Sequence, residues 1–431
     1  MGMKIYFVTT VITLLSMASC KHQTGWIIEN PLPVQREDEV IVLTRNDVAE
    51  KLAIPGEKVP VFRSDGMLLP SQIDDMDGDG KWDEAAVLIG MEPSTVRKIV
   101  VSFVEQAAYP QFEKRTGVRL GIVQPDGSFR EVDQYSAPSC KDSFLIIAQA
   151  ESVNWENEKF GFRNYFDCRN VKDLFGKLKP VMVIDSLAQP GTQSYHELAD
   201  WGMDVLHCGS SLGSGGLALL LNDSLYRLGS TDVYEYRKVT EGPVRSVFEL
   251  IYKGWQVDSF TLEAVERISI FPGKYWFRSE VTIANLPVGA EIVTGIVTSR
   301  LKKEPFEFRE YGFTCMGTHD TQSLNNDELG MAVIVPENQT GRTGRTTDID
   351  FFKLGFQTVK EKNFSQIISE TCYISQKATD RVPSVHWFAA VWGAEREQWK
   401  TEEDFRGYLR KEMEKLAFPL VIKKLSSGGK E

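Results

Sequence analysis

A chain of 431 residues with 42% hydrophobic and 25% charged side chains has a globular composition and is long enough for two domains and a large core. Its formal net charge of −11 argues against a phosphate backbone as the main partner, so no nucleic-acid role is expected. Neutral glycans stay open, and an anionic ligand needs a local basic site.

At the N-terminus, Lys4 precedes an apolar run from Ile5 to Leu15. The run is too short for a spanning helix, which needs about 20 apolar residues, and has the n- and h-regions of a secretory signal. Ser16-Met17-Ala18-Ser19-Cys20 resembles a lipobox, with Met17 in place of the usual Leu. Residues 1–19 are therefore expected to be a signal peptide and Cys20 the lipid-bearing residue. Plain signal cleavage would change the anchor but not the compartment. Lys21-His22-Gln23 lacks both an inner-membrane retention Asp and an acidic export cluster. The expected place is the outer membrane, facing the periplasm. The other cysteines, at 140, 168, 208, 315 and 372, have no C-x-x-C spacing and read as buried small apolar residues.

Residues 20–37 are polar, contain Pro31 and Pro33, and read as anchor and tether. Short β-branched runs follow at Glu39–Arg45, Val59–Arg63, Ala85–Met91, Lys98–Val104 and Val118–Val123, separated by turns such as Ser64-Asp65-Gly66 and Pro125-Asp126-Gly127. This predicts a small β-sandwich-like domain over 38–140. Longer runs follow at Arg245–Tyr252, Trp255–Ala264, Glu266–Ile270 and Tyr275–Ile283, with Phe271-Pro272-Gly273-Lys274 as a hairpin. Ile292–Arg300, Met331–Val335 and Val385–Trp392 continue the pattern. They predict a second domain of two large stacked sheets over 141–425. Helix is expected to be sparse. Thr401 can cap one whose apolar face is Phe405, Leu409, Met413 and Leu416.

The run from Asp75 to Glu84 places Asp75, Asp77 and Asp79 at positions 1, 3 and 5 of an EF-hand-type loop, Gly80 at 6 and Asp83 at 9. Hard Ca²⁺ wants several oxygens, and the glycine permits the sharp turn. Position 12 is Ala86, so Glu84 would have to supply the missing carboxylate. A structural Ca²⁺ is expected, against a bare acidic turn; no organic cofactor is expected. Asn154-Trp155-Glu156 and Phe162-Arg163-Asn164-Tyr165 interleave aromatic and charged residues, as a sugar site or an ordinary alternating strand would. Ser194 to Asp204 is dense in proton-moving groups: Tyr195, His196, Glu197, Asp200 and Asp204. His196 sits in its loop-like part and can act near neutral pH, or be a buried, bonded histidine. His319 and His386 are weaker candidates, and His207, after an apolar run, reads as structural. Arg163, Arg169, Arg245 and Arg300 are candidate cations for a carboxylate. G-x-S-x-G, H-E-x-x-H and P-loop patterns are absent.

Taken together, Pro70 to Asp75, Trp155-Glu156-Asn157 with Phe162-Arg163, and Tyr195-His196 with Asp200 to Leu206 resemble the envelope proteins encoded in polysaccharide-utilisation loci. The resemblance covers nearly all of the mature chain. It implies a galactose-mutarotase-like β-supersandwich after the small domain, and an oligosaccharide partner. It also implies dehydration or elimination at a uronic acid, leaving a 4,5-double bond. In that chemistry a cation neutralises the carboxylate, a base takes the C5 proton and an acid helps the C4 oxygen leave. His196 with Tyr195 is assigned the proton transfers and Arg163 the carboxylate. Trp155 or Trp201 is the sugar platform, with Glu156, His319 and His386 as further substrate contacts. A sugar mutarotase or epimerase, or a glycan-binding lipoprotein without catalysis, are the competing readings.

Overall fold

Alternating apolar residues between turn signals form strands through most of the chain. The computed structural model describes residues 24–49, 54–137, 147–229, 231–348 and 367–425. The signal run, Cys20 and Cys140 lie outside them. The protein is mainly β, as expected, and built of antiparallel sheets. Among the described residues, helix is limited to Arg45–Ala49, Glu402–Ala417 and short 3-10 turns.

The small domain pairs two sheets. One has the strand order Val421–Lys424, Gly25–Glu29, Val96–Val104, Val59–Ser64, Met67–Leu68; the other has Arg36–Thr44, Glu84–Met91, Ser71–Asp74. Ala85, Val87, Ile89 and Met91 alternate inward and meet Trp26, Ile28, Ile41, Phe62 and Ile99. Two expected boundaries give way. The apolar Trp26-Ile27-Ile28 turns part of the supposed tether into a strand, and its partner comes from the far end of the chain: Glu29 faces Val421 and Trp26 faces Lys424. Thr116–Val123 and Gln134–Ala137, expected in the small domain, pair with Ser152–Asn157 and Val233–Glu241 of the large one.

The large domain packs a nine-stranded sheet, centred on the meander 246–284, against six-stranded and five-stranded sheets. Among the described residues, one isolated parallel bridge, Lys172 to Gly213, joins the last two. The predicted break between Tyr252 and Trp255 is a bulge within one strand, Ser246–Val257, where Gly254 takes φ 72°. The actual turn comes at Asp258, in the left-handed region at φ 51°. Thr401 caps the long helix as predicted, its hydroxyl accepting the Asp404 N–H at 3.1 Å, and Phe405, Leu409 and Met413 are buried.

Two polar seams hold the domains together. Gln72 Oε1 accepts the backbone N–H groups of Val244 and Arg245, each at 3.1 Å, while its amide donates to Asp74 and Thr240. Arg245 closes the seam on Asp74 and Glu84. In the second seam Arg115 grips Asp38, and Lys274 reaches Glu39 at 2.7 Å. The Pro70–Asp75 stretch is therefore an inter-domain latch. Gln72→Ala leaves two buried donors unmet, a cost of about 1–3 kcal/mol each. The midpoint of urea unfolding should fall accordingly, and an unmoved midpoint would mean the latch contributes nothing.

Candidate active site

The site grows from the outer face of the six-stranded sheet. In the strand Phe160–Tyr165, Phe160 and Phe162 point into the sandwich, so Arg163 and Tyr165 take the opposite face. Register then sets Asp173 opposite Arg163, and Asp204 opposite Phe175 one strand further on. The segment 178–201 folds over this face. Val183, Ile184, Leu187, Tyr195 and Trp201 pack there against Phe175 and Ala150, which removes water from the charges beneath.

Arg163 is fully buried and its donors are engaged. Nε reaches Asp173 Oδ2 at 3.0 Å, Nη2 reaches Asp204 Oδ2 at 2.7 Å and Tyr165 Oη at 2.9 Å, and Nη1 reaches the Ala150 carbonyl at 3.3 Å and Tyr195 Oη at 3.4 Å. Burial opposes its charge, but Asp173 and Asp204 outweigh burial and keep it protonated. Burial raises the Asp173 carboxyl, and the Asp204 charge beside it adds to that shift. Asp204 Oδ2 also meets His196 Nδ1 at 3.1 Å; Asp204 is 2% exposed and His196 57%. The hydrogen bond that His196 donates to Asp204 raises the imidazole above its ordinary value. One buried arginine thus faces two buried carboxylates, with the His196 ring beside the second. The Tyr195 ring stacks obliquely on His196, centroids 4.2 Å apart.

Of the predicted site residues, the structure brings together Tyr195, His196 and Arg163, with Trp201 half-buried at their flank, edge-on to Phe175. Arg163 cannot serve as the substrate's carboxylate clamp, because its donors are spent inside; it positions Asp204. Trp155 is no platform: it is fully buried, stacked on Phe162 at 5.8 Å and against Phe248 and Phe277. Glu156 is a structural strap, ion-paired with buried Lys177 and accepting the N–H groups of Val183 and Ile184 at 2.7 and 2.9 Å. It ties down the covering segment. His319 is buried with Nε2 2.9 Å from the Trp399 carbonyl. His386 lies inside the sandwich, where burial pushes its pKa down to about 3. Neither touches the site.

Sequence reasoning missed one group and misread another, while Arg169 had been a candidate cation. Asp173 completes the network across the strand pair. Arg169, stacked 4.0 Å over Tyr165, pairs with Asp167 and Glu151 beside it. His207, read as structural, is exposed. The signal for Asp173 was its alternation with Leu174; His207 offered none, since its neighbours Leu206 and Cys208 are both buried.

In the acidic loop, carboxylate oxygens of Asp75, Asp77 and Asp83 lie within 4.8 Å of one another. Asp75 accepts the N–H groups of Gly78 and Gly80 at 2.7 and 2.8 Å, so the turn is preformed, and these bonds, Gly80's first, lower its pKa. Asp79 turns away to the Lys81 N–H, and Glu84 is taken by Arg245. Both leave the expected ligand set. Three converging hard oxygen donors fit a calcium ion.

Relatives match over the whole of this arrangement. A protein of Formosa agariphila described as "Uncharacterized protein P7" is 24% identical over 451 residues, 97% of this chain and 98% of its own. Among solved structures, a protein in the glycosyl hydrolase family 38 from Enterococcus faecalis aligns with 95% of this chain at a TM-score of 0.50 and 9% identity. An α-mannosidase from Enterococcus faecalis V583 aligns at 0.48 and 9%. The chain spans about half of those two proteins, 48% and 47%, and the likeness to the first is one of fold. The profile described as "Domain of unknown function (DUF4861)" matches residues 28–422, and the chain belongs to that family.

Proposed function

We propose that this protein is a carbohydrate-active lyase or dehydratase that acts on uronic-acid-containing oligosaccharides, with His196 moving the proton. The observation that carries the reading is the half-exposed imidazole held at 3.1 Å by a buried carboxylate that is itself clamped by Arg163. A histidine so oriented takes or gives a proton at the surface while its partner stabilises the cation. Tyr195 and Trp201 offer the ring faces next to it. A fold shared with part of a glycosyl hydrolase family 38 protein agrees with a sugar ligand in a supersandwich. On the solvent side, Arg169 keeps 22% of its side chain exposed while paired to Asp167 and Glu151.

An ultraviolet assay on saturated uronic-acid-ended oligosaccharides tests this. Absorbance rising at the unsaturated-uronate band supports elimination, and a flat trace across a broad panel removes it. The engagement of Arg163 by Asp173 and Asp204 favours, as second reading, a mutarotase or epimerase, which needs an acid–base pair but no carboxylate clamp. Anomer interconversion without the absorbance band would select it, and binding without turnover would leave a glycan-binding lipoprotein.

The proposal includes a lipid anchor at Cys20 on the periplasmic face of the outer membrane, which rests on the N-terminal sequence. Fatty-acid labelling lost in Cys20→Ser would support it, and labelling retained would refute it. It also includes a structural calcium ion held by Asp75, Asp77 and Asp83. The melting temperature should be higher with calcium than with chelator, and identical midpoints would sink the calcium assignment.

A further inference from the structure

With the Arg163 donors spent inside, a uronate's carboxylate needs another cation. Arg169 stands next along the same network. Its Cζ lies 4.0 Å over the Tyr165 ring, and the hydroxyl of that tyrosine accepts Arg163 Nη2 at 2.9 Å. Arg163 Nη1 reaches Tyr195 Oη at 3.4 Å, and Tyr195 stacks on His196. One run of contacts thus joins Arg169 to the proposed proton-transfer group. Charge links the two ends as well: burial raises the Tyr195 hydroxyl, and the Glu151 carboxylate that pairs with Arg169 adds to the rise.

Arg169 has two carboxylate partners of unlike standing. Asp167 is the fixed one. Its oxygens accept Arg169 Nε at 3.0 and 2.9 Å and the Arg169 backbone N–H at 2.8 Å, and its side chain is 5% exposed. Glu151 accepts Nη2 at 2.7 Å, and its side chain is 33% exposed. A partly exposed pair of this kind adds little to stability. Yet the backbone beneath it is strained: Ala150 and Glu151, neither of them glycine, take left-handed φ values of 51° and 59°. The Ala150 carbonyl accepts Arg163 Nη1 at 3.3 Å and the Glu151 carbonyl accepts the Phe166 N–H at 2.9 Å, which holds the turn in place. The strain therefore sets a carboxylate against the solvent side of an arginine at the edge of the site.

We propose that Arg169 is the carboxylate-binding residue of the site, and that Glu151 is a placeholder which the uronate's own carboxylate displaces. The inference rests on the proposed carbohydrate chemistry and deepens it, since it names the group that selects an acidic sugar. Glu151 and a uronate offer the guanidinium the same pair of oxygens. One replaces the other without loss of hydrogen bonds, and the released Glu151 turns to water. Asp167 stays in place and holds the guanidinium in position. An anion forming at C5 spreads into the neighbouring carboxylate, so a cation there also lowers the cost of taking the C5 proton.

The two partners should respond with opposite signs. The probe is a saturated glucuronic-acid-ended tetrasaccharide, compared with the same saccharide whose acid is reduced to the alcohol. Calorimetry reads Kd on the mature chain carrying His196→Ala, so that nothing turns over. Adding Arg169→Gln should weaken binding of the acid about 10–100-fold and leave the alcohol unchanged. Adding Glu151→Gln should tighten the acid about two- to fivefold, because the competing group loses its charge. Arg169→Lys keeps the charge and loses the fork, and should fall between wild type and Arg169→Gln. In the ultraviolet assay, with His196 restored, KM should follow the same order. A purely structural ion pair would weaken binding in both variants alike, for acid and alcohol together, and that result would overturn the inference. So would a wild-type site that binds acid and alcohol equally. Elimination at full rate and unchanged KM in Arg169→Gln would overturn the inference and leave the proposed function standing. Opposite shifts in Kd with no turnover on any substrate would keep the carboxylate pocket and remove the elimination reading.

Discussion

Arg163→Met is expected to destabilise the large domain by about 3–5 kcal/mol, the cost of removing one partner of a buried ion pair. Methionine fills much of the volume but leaves Asp173 and Asp204, 1% and 2% exposed, facing each other without the shared cation. The Tyr165 and Tyr195 hydroxyls and the Ala150 carbonyl lose a donor as well. Thermal or urea unfolding of the variant reads the effect directly. Wild-type stability at neutral pH would show that the network is held by the surrounding packing instead.

The pH dependence has a definite sign. The Asp173 carboxyl is raised in the folded protein, chiefly by burial, so the folded state holds a proton that the unfolded chain releases at the ordinary aspartate value. Such a group lowers stability as pH rises from that ordinary value through the raised one. Removing Arg163 takes away a charge that opposes the rise. The deficit of Arg163→Met relative to wild type should therefore be smallest in acid and grow toward neutrality. Adding Asp173→Asn should recover part of it, because one of the two uncompensated charges is gone.

Local pattern carried the strand content and the capped helix, and it marked His196 as a rare residue type within a loop. What it could not carry was pairing across the chain. Arg163 finds its partners 10 and 41 residues away, at Asp173 and Asp204, and only the sheet register shows that they consume its charge. Trp155 and Trp201 look alike in sequence. The first alternates inward with Val153 on its strand and joins the core; the second leaves the covering segment half-buried. His386 stood on a strand whose alternation has two faces, and it shares the inner one with Phe388. The same limit misplaced the domain boundary. Thr116–Val123 has the length and turns of the strands before it, and only its partner, Ser152–Asn157, reveals the sheet it joins.

His196→Ala should lower turnover of a reactive oligosaccharide by about 10²–10⁴-fold, the usual contribution of a positioned acid or base. Melting should change little, because the ring is more than half exposed and its ion pair is largely screened. Asp204→Asn tests how the ring is set. The hydrogen bond donated to Asp204 is the largest cause of the raised His196 pKa, and a base works when neutral, so the rate should climb as pH rises through a value above 6.5. With asparagine in place of the carboxylate, that climb should move toward acid. The plateau should also fall, since the Nδ1 partner no longer stabilises the imidazolium formed on proton transfer. The two changes separate the roles: His196→Ala removes the ascending limb, whereas Asp204→Asn keeps it and shifts it. An ascending limb that stays in place in Asp204→Asn would mean that another group sets it.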